Sequence, residues 1–333
     1  MANTPDPQTS IPNTLKAMKD QFGREIDYLR ISLTDRCGFR CRYCMPQEGV
    51  LKREHAEILS LEEIAEIASA AIECGIRKIR LTGGEPLVRK GIETLCRNLK
   101  QQPDLHELTL TTNGALLAEK AAVLKEAGVD RLNISLDTLR QDRFRYITRC
   151  GDLSDTLRGI QSAEDAGFCG TKINTVLIGG FNDDEIPDLV NLTREKDISL
   201  RFIELMPIGE ARIWPKSAFL DAATVLQRVP ELEPVGSDGV AELYRLSGTA
   251  GTVGLIRPLS HSFCRNCSRI RLTADGMLKP CLHSDMEIPL RGLHGNALTE
   301  AVKDGIFRKP SQHHINRDGI SGTVNRLMSQ IGG

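Results

Sequence analysis

The chain has 333 residues, 40% hydrophobic and 26% charged, with a formal net charge of −1. This suits a folded α/β protein with a large core; it excludes a global basic field for nucleic acid or an anionic membrane, and an aromatic content of 4% disfavours a base-stacking surface. No apolar run reaches the about 18 residues of a membrane span. Met1 to Asn13 lack the character of a signal peptide, so we expect a flexible tail over residues 1–22 and a cytoplasmic protein whose ten cysteines stay reduced.

In chain order, strands are predicted at Tyr28–Leu33, Lys78–Thr82, Glu107–Thr111, Arg131–Ser135, Thr171–Ile178 and Leu200–Glu204. Helical patterns lie between them at Ser60–Cys74, Lys90–Lys100, Ala115–Ala127, Ser154–Ala166 and Asp183–Lys196. Ser60 and Glu63 read as a capping box, and Asn182 or Asp183 as the cap of the fifth helix. Gly75, Gly128 and Gly167 stand where helices end. Strands alternating with helices imply parallel βα units. Six units are too few for a closed eight-stranded barrel, so we expect an open, partial (β/α)6 TIM-like barrel over residues 23–207. A flat doubly wound sheet is the alternative. From Pro207 onward the rhythm breaks. Residues 208–333 read as a C-terminal region that closes the open side, with strands at Val253–Arg257 and Ile270–Thr273.

The cysteines fall into classes. Cys74, Cys96, Cys150 and Cys169 are scattered and read as structural thiols. Cys37, Cys41 and Cys44 form C-x3-C-x2-C directly after the first strand. Three such thiolates can grip one face of a [4Fe–4S] cube and leave the fourth iron open to a small molecule. A zinc knuckle would want a fourth ligand, for which only His55 is near. Cys264, Cys267 and Cys281 form C-x2-C-x13-C. Again an open cube is sensible, and His261 and His283 leave zinc open as an alternative. Arg269 and Arg271, one residue apart on an extended segment, share a side and suit phosphate.

The first motif, followed one βα unit later by Gly83-Gly84-Glu85-Pro86, resembles the radical S-adenosylmethionine (SAM) superfamily. There the glycines would admit a ligand close to the backbone, and Glu85 would accept from the SAM ammonium. With Thr111–Gly114, Asn133–Asp137, Arg201–Pro207 and Cys264–Cys281, the pattern from Phe22 to Gly333 is similar to the GTP 3′,8-cyclase family of molybdenum cofactor biosynthesis. The resemblance implies cyclisation of GTP to (8S)-3′,8-cyclo-7,8-dihydroguanosine 5′-triphosphate, with SAM and two [4Fe–4S] clusters as cofactors. It implies SAM contacts at Tyr43, Gly84, Glu85, Ser135 and Met206. It implies GTP contacts at Arg30, Arg80, Thr111, Lys172, Arg269, Ile270 and Arg271, and an active tail at Gly332 and Gly333. No side chain is expected as a conventional acid, base or nucleophile. An electron donor such as flavodoxin or ferredoxin is implied, as is transfer of product to the next enzyme of the pathway; a homodimer stays open. Gly38 departs from the Asn often found there in the family. The competing readings are a radical SAM peptide-modifying enzyme and a metal-binding regulator.

Overall fold

The computed structural model describes residues 16–50, 53–313, 315 and 326–332. Met18–Lys19 (β1), inside the stretch expected as tail, pairs antiparallel with Glu25–Ile26 (β2) just beyond it. There follow Tyr28–Ser32 (β3), Leu61–Glu73 (α1), Lys78–Thr82 (β4), Ile92–Lys100 (α2), Glu107–Thr112 (β5) and Leu117–Glu126 (α3). Next come Arg131–Ser135 (β6), Gln141–Thr148 (α4), Leu153–Asp165 (α5), Lys172–Leu177 (β7), Ile186–Glu195 (α6) and Ser199–Glu204 (β8). The C-terminal region adds Thr224–Arg228 (α7), Glu233–Asp238 (β9), Ala241–Arg245 (β10), Thr252–Ile256 (β11), Arg269–Leu272 (β12), Met277–Lys279 (β13), Ile288–Pro289 (β14) and Gly295–Phe307 (α8).

Twelve strands form one mixed sheet in the order β14-β13-β12-β3-β4-β5-β6-β7-β8-β11-β10-β9. The central eight, β12 through β11, are parallel. The six expected strands form its middle. The C-terminal region then extends both edges, β11 beside β8 and β12 beside β3. Alternation within the strands explains the layering. Leu29 and Ile31, Ile79 and Leu81, Leu108 and Leu110, and Leu132 and Ile134 are fully buried in the core that also holds Ile64, Ile67 and Ala68 of α1. The intervening positions carry Arg30, Arg80 and Thr109 in register on adjacent strands.

Helix ends mostly follow local chemistry. Gly75, Gly128 and Gly167 take positive φ just past α1, α3 and α5. The fifth predicted helix differs: α6 starts behind Glu185 with no side-chain cap. Asn182 instead donates to the carbonyls of Asp137 and Val176, tying two strand ends together. Helix α4 escaped prediction because its residues average strongly polar around a few buried ones, Phe144 and Ile147. Burial holds for Cys74 and Cys96, whereas Cys150 and Cys169 are exposed, which corrects their reading as buried structural thiols.

The capping box of α1 is complete: Ser60 Oγ accepts from Glu63 N at 3.1 Å and Glu63 Oε2 accepts from Ser60 N at 2.7 Å. Ser60→Ala is expected to lower stability by about 1 kcal/mol, read from the denaturant midpoint at unchanged slope.

Candidate functional site

The first cysteine loop leaves β3 and is fastened to the turn after β4. Gly84 N donates to Thr34 O at 2.6 Å and Glu85 N to Arg36 O at 2.7 Å. A Cβ at Gly83 would lie 2.5 Å from Thr34 O, and one at Gly84 2.3 Å from Arg36 O. The approach these glycines permit is backbone to backbone, within the chain. From the other side, Arg40 N and Arg42 N donate to the carbonyls of Thr148 and Ile147 at the end of α4. Arg149, the sole non-glycine residue with positive φ among the described residues, reaches Arg40 O and Met45 O. Local patterning has no signal for this brace.

Three thiols thus share one short loop. Cys37 Sγ accepts from Phe39 N at 3.3 Å and lies 3.8 Å from Asn113 Nδ2. Burial pushes the thiols up, Cys37 to about 11, Cys44 to about 12 and Cys41 well above its ordinary value, and the neighbouring cysteines push Cys41 and Cys44 further. Thiols crowded in this way ionise together only when a cation supplies the charge, and a coordinating thiol is deprotonated outright. The donor set therefore fits an iron–sulfur cluster. Among the described residues, no three His, Cys, Asp or Glu side chains are gathered closely enough to hold a single metal ion.

The carboxylates nearby are buried. Glu85 accepts from Leu87 N, Thr112 Oγ1 and Asn113 N at 2.8–3.0 Å, and burial raises it to about 7. It staples the β4 turn to the β5 turn. Asp137 accepts from Tyr43 Oη at 2.8 Å and Val176 N at 2.9 Å, and burial raises it to about 6. Tyr43, Gly84, Ser135 and Met206 thus sit in the cysteine loop or at the C-terminal ends of β4, β6 and β8, the functional end of parallel α/β strands.

Deeper along the same strands lies a row of cations. Arg271, Arg30 and Arg80 are register partners on β12, β3 and β4. Neighbouring strands lie roughly 4.8 Å apart, so the guanidiniums press on one another. Burial lowers Arg30 well below its ordinary value, with Arg271 and Arg80 adding to it, and lowers Arg271 to about 10, with Arg269 adding. Tyr28 is lowered although its burial opposes this, because Arg80, Arg30 and Arg269 surround it. Lys172 opens β7, lowered to about 8 by burial and then by Arg201. Thr111 Oγ1 and Tyr28 Oη are buried without a hydrogen-bond partner among the described residues. Ile270, between Arg269 and Arg271, is fully buried in the hydrophobic core.

The second cysteine set brackets this row. Cys267 precedes β12 by two residues. The pairing of Arg271 with Lys279, continued along the hairpin, sets Cys281 opposite Arg269. Here the thiols are pulled down. Against the effect of burial, His313 and Ser262 bring Cys264 to about 6, and Lys309 and Arg269 lower Cys267. Arg24 Nη1 donates to Cys264 O at 2.8 Å, and buried Lys309 donates to Arg269 O and Pro280 O. His283 faces His313 with ring centroids 4.6 Å apart, while His261 is exposed. Arg24, Lys309 and His313 were not foreseen; each is distant in sequence from the loop it serves.

The chain end returns to the same place. Arg271 Nη1 donates to Ile331 O at 3.1 Å and Gly332 O at 2.6 Å. A Cβ at Gly332 would fall 2.2 Å from Thr82 Oγ1, and its φ is +64°. Arg326 anchors the segment by bidentate pairs with Glu287 at 2.6 Å and Asp275 at 3.0 Å. Gly333 lies outside the described residues.

The radical SAM superfamily model matches residues 31–193, and that of Molybdenum Cofactor Synthesis C matches residues 198–315. A GTP 3′,8-cyclase of Peptoclostridium acidaminophilum is 53% identical over 320 residues, covering 94% of this chain and 98% of that protein. One of Moorella thermoacetica is 49% identical over 327 residues, covering 95% and 100%. Among solved structures, Streptococcus suis SuiB superposes with a TM-score of 0.60 at 16% identity, over 86% of this chain and 66% of SuiB, a likeness of fold alone.

The Gly84 contact gives a direct check. Gly84→Ala is expected to force residues 34–36, and the cysteine loop behind them, off the β4 turn. Anaerobic reconstitution should then yield about four irons per chain instead of about eight, on the basis of two four-iron clusters; full iron content would show the contact to be dispensable.

Proposed function

The chain belongs to the GTP 3′,8-cyclase family of radical SAM enzymes, and from that premise we propose that it converts GTP to (8S)-3′,8-cyclo-7,8-dihydroguanosine 5′-triphosphate, an early step of molybdenum cofactor biosynthesis. The observation that carries the reading is the row Arg271, Arg30 and Arg80, flanked by one cysteine set at the strand ends and another beside β12.

In this reading Cys37, Cys41 and Cys44 hold one [4Fe–4S] cluster and Cys264, Cys267 and Cys281 the other. Bound clusters and SAM supply the one-electron chemistry that removes hydrogen from ribose C3′ and joins that carbon to guanine C8. The chain's own task is placement. Tyr43, Gly84, Glu85, Ser135 and Met206 line the SAM side; because Glu85 already takes three internal donors, its contribution includes holding the β4 and β5 turns. Arg30, Arg80, Lys172, Arg269 and Arg271 neutralise the triphosphate, Thr111 offers a free hydroxyl, and Ile270 offers its main chain. Burying cations side by side is costly, and a polyanionic substrate relieves that cost. Gly332 stands beside Arg271, and the tail Gly332–Gly333 is read as contributing to activity.

The sheet is read as an open, partial (β/α)6 barrel over residues 23–207, closed by residues 208–333, with residues 1–22 preceding it. An electron donor of the flavodoxin or ferredoxin kind and a following enzyme that takes the cyclised nucleotide complete the scheme. Among the described residues no helix is long and apolar enough to cross a membrane. A peptide-modifying activity is not favoured, since near-full-length identity is to GTP cyclases and the likeness to SuiB is one of fold.

The test is an anaerobic assay with GTP, SAM and a strong reductant. The parent protein should form the cyclised nucleotide. Cys41→Ala should stop SAM cleavage, whereas Cys267→Ala should lose product while retaining some uncoupled cleavage. Parent-rate SAM cleavage by Cys41→Ala would remove the role given to that loop. Deleting Gly332 and Gly333 should keep the iron content and lower cyclisation by at least about tenfold, the equivalent of one lost contact of roughly 1.4 kcal/mol. Unchanged turnover would make the tail a bystander.

A further inference from the structure

The cations of β7 and β8 already hold an anion, and it belongs to the chain. Asp238, the last residue of β9, lies across a tight turn from Ala241 of β10. Its Oδ2 contacts both Lys172 Nζ and Arg201 Nη2. Lys172 pairs with Ser199 in register, so Arg201, two residues further along β8, projects from the same face.

The pair is asymmetric. The Lys172 and Arg201 side chains are 9% and 8% exposed, but that of Asp238 is 48% exposed. All six residues of β9 are exposed. Strand β9 therefore has little apolar packing to hold it, whereas β10 is fastened to β11. Arg201 Nε is buried with no hydrogen-bond partner among the described residues, and Arg131 adds further positive charge to the group. A single carboxylate, reached from solvent, thus faces buried cations with donor capacity to spare. Phosphate oxygens offer more charge and more acceptors than a carboxylate and match the guanidinium fork as well.

We propose that Asp238 is a displaceable counterion, occupying Lys172 and Arg201 until the phosphates of the substrate take its place, and so setting the affinity threshold for the nucleotide. The proposal rests on the reading of Lys172 as a phosphate contact. The exchange is non-covalent: the carboxylate leaves toward solvent with the exposed edge strand β9, and the phosphates take both cations. Guanosine brings no phosphate and leaves Asp238 where it is.

Anaerobic calorimetry on the reconstituted full-length protein tests this with GTP and guanosine. Asp238→Asn is nearly isosteric and should bind GTP about tenfold more tightly, a change of roughly 1.4 kcal/mol, with guanosine affinity unchanged. Equal or weaker GTP binding by a variant of normal iron content would make Asp238 a fixed brace for the two cations and overturn the proposal. Hydrogen exchange on the unaltered protein gives a second readout that needs no variant. Inorganic tripolyphosphate should speed exchange across residues 233–245, and exchange that stays the same or slows despite saturating tripolyphosphate would also overturn it. If the unaltered protein binds neither GTP nor tripolyphosphate, the nucleotide reading itself fails and takes the counterion with it. If it binds both while the variant and the hairpin stay silent, only the counterion is lost.

Discussion

Like charges held side by side in a buried sheet dictate much of this molecule. Arg271, Arg30 and Arg80 occupy neighbouring strands at one level, and burial together with Arg271 and Arg80 makes Arg30 harder to keep protonated. Such a row survives only on a rigid frame. The frame is the opposite face of the same strands, where leucine and isoleucine lie fully buried in the core shared with α1. Moving the register of β3 by one residue would send the arginines into that core and the leucines into the cation row. The alternation of apolar and charged residues therefore fixes fold and site together.

The two cysteine sets answer to opposite electrostatics. Burial and mutual repulsion hold the first as thiols, whereas Lys309, Arg269 and His313 draw Cys264 and Cys267 of the second toward thiolate. The difference follows from position. The first loop borders the buried carboxylates Glu85 and Asp137; the second abuts the cations. A ligand set close to thiolate takes up a metal with less proton release than one held as thiol, so the two loops meet incoming iron on different terms.

Much of this was legible from local pattern. The six central strands, the capping box at Ser60 and both cysteine spacings are written in short stretches, because each depends on neighbours within a few residues. What escaped is long-range. The brace of Arg149 on the first loop, the reach of Arg24 to Cys264 and the anchoring of Arg326 by Asp275 and Glu287 join residues distant in sequence, and no spacing rule announces them. Asn182 misled for the same reason. It has the chemistry of a cap, but the carbonyls of Asp137 and Val176 outbid the helix end. The glycines after β4 stand directly behind that strand, and the close approach of residues 34–36 to them joins segments about 50 residues apart. The C-terminal region was expected to close the open side; its strands prolong the sheet at both edges, and β9, β10, β13 and β14 are too short or too polar to declare themselves.

The pairing of β12 with β3 joins residues at opposite ends of the chain, Arg271 with Arg30. On a ribosome adding about 5–20 residues per second, the partner of β3 emerges roughly 10–50 s after β3 itself. Throughout that interval β3 presents a row of unsatisfied amides and carbonyls, the kind of edge that recruits stray strands. The nascent protein therefore passes that interval with one edge of the Arg30 strand uncovered. Like-charge repulsion from Arg30 and Arg80 is then the chain's own guard against pairing with another copy of itself.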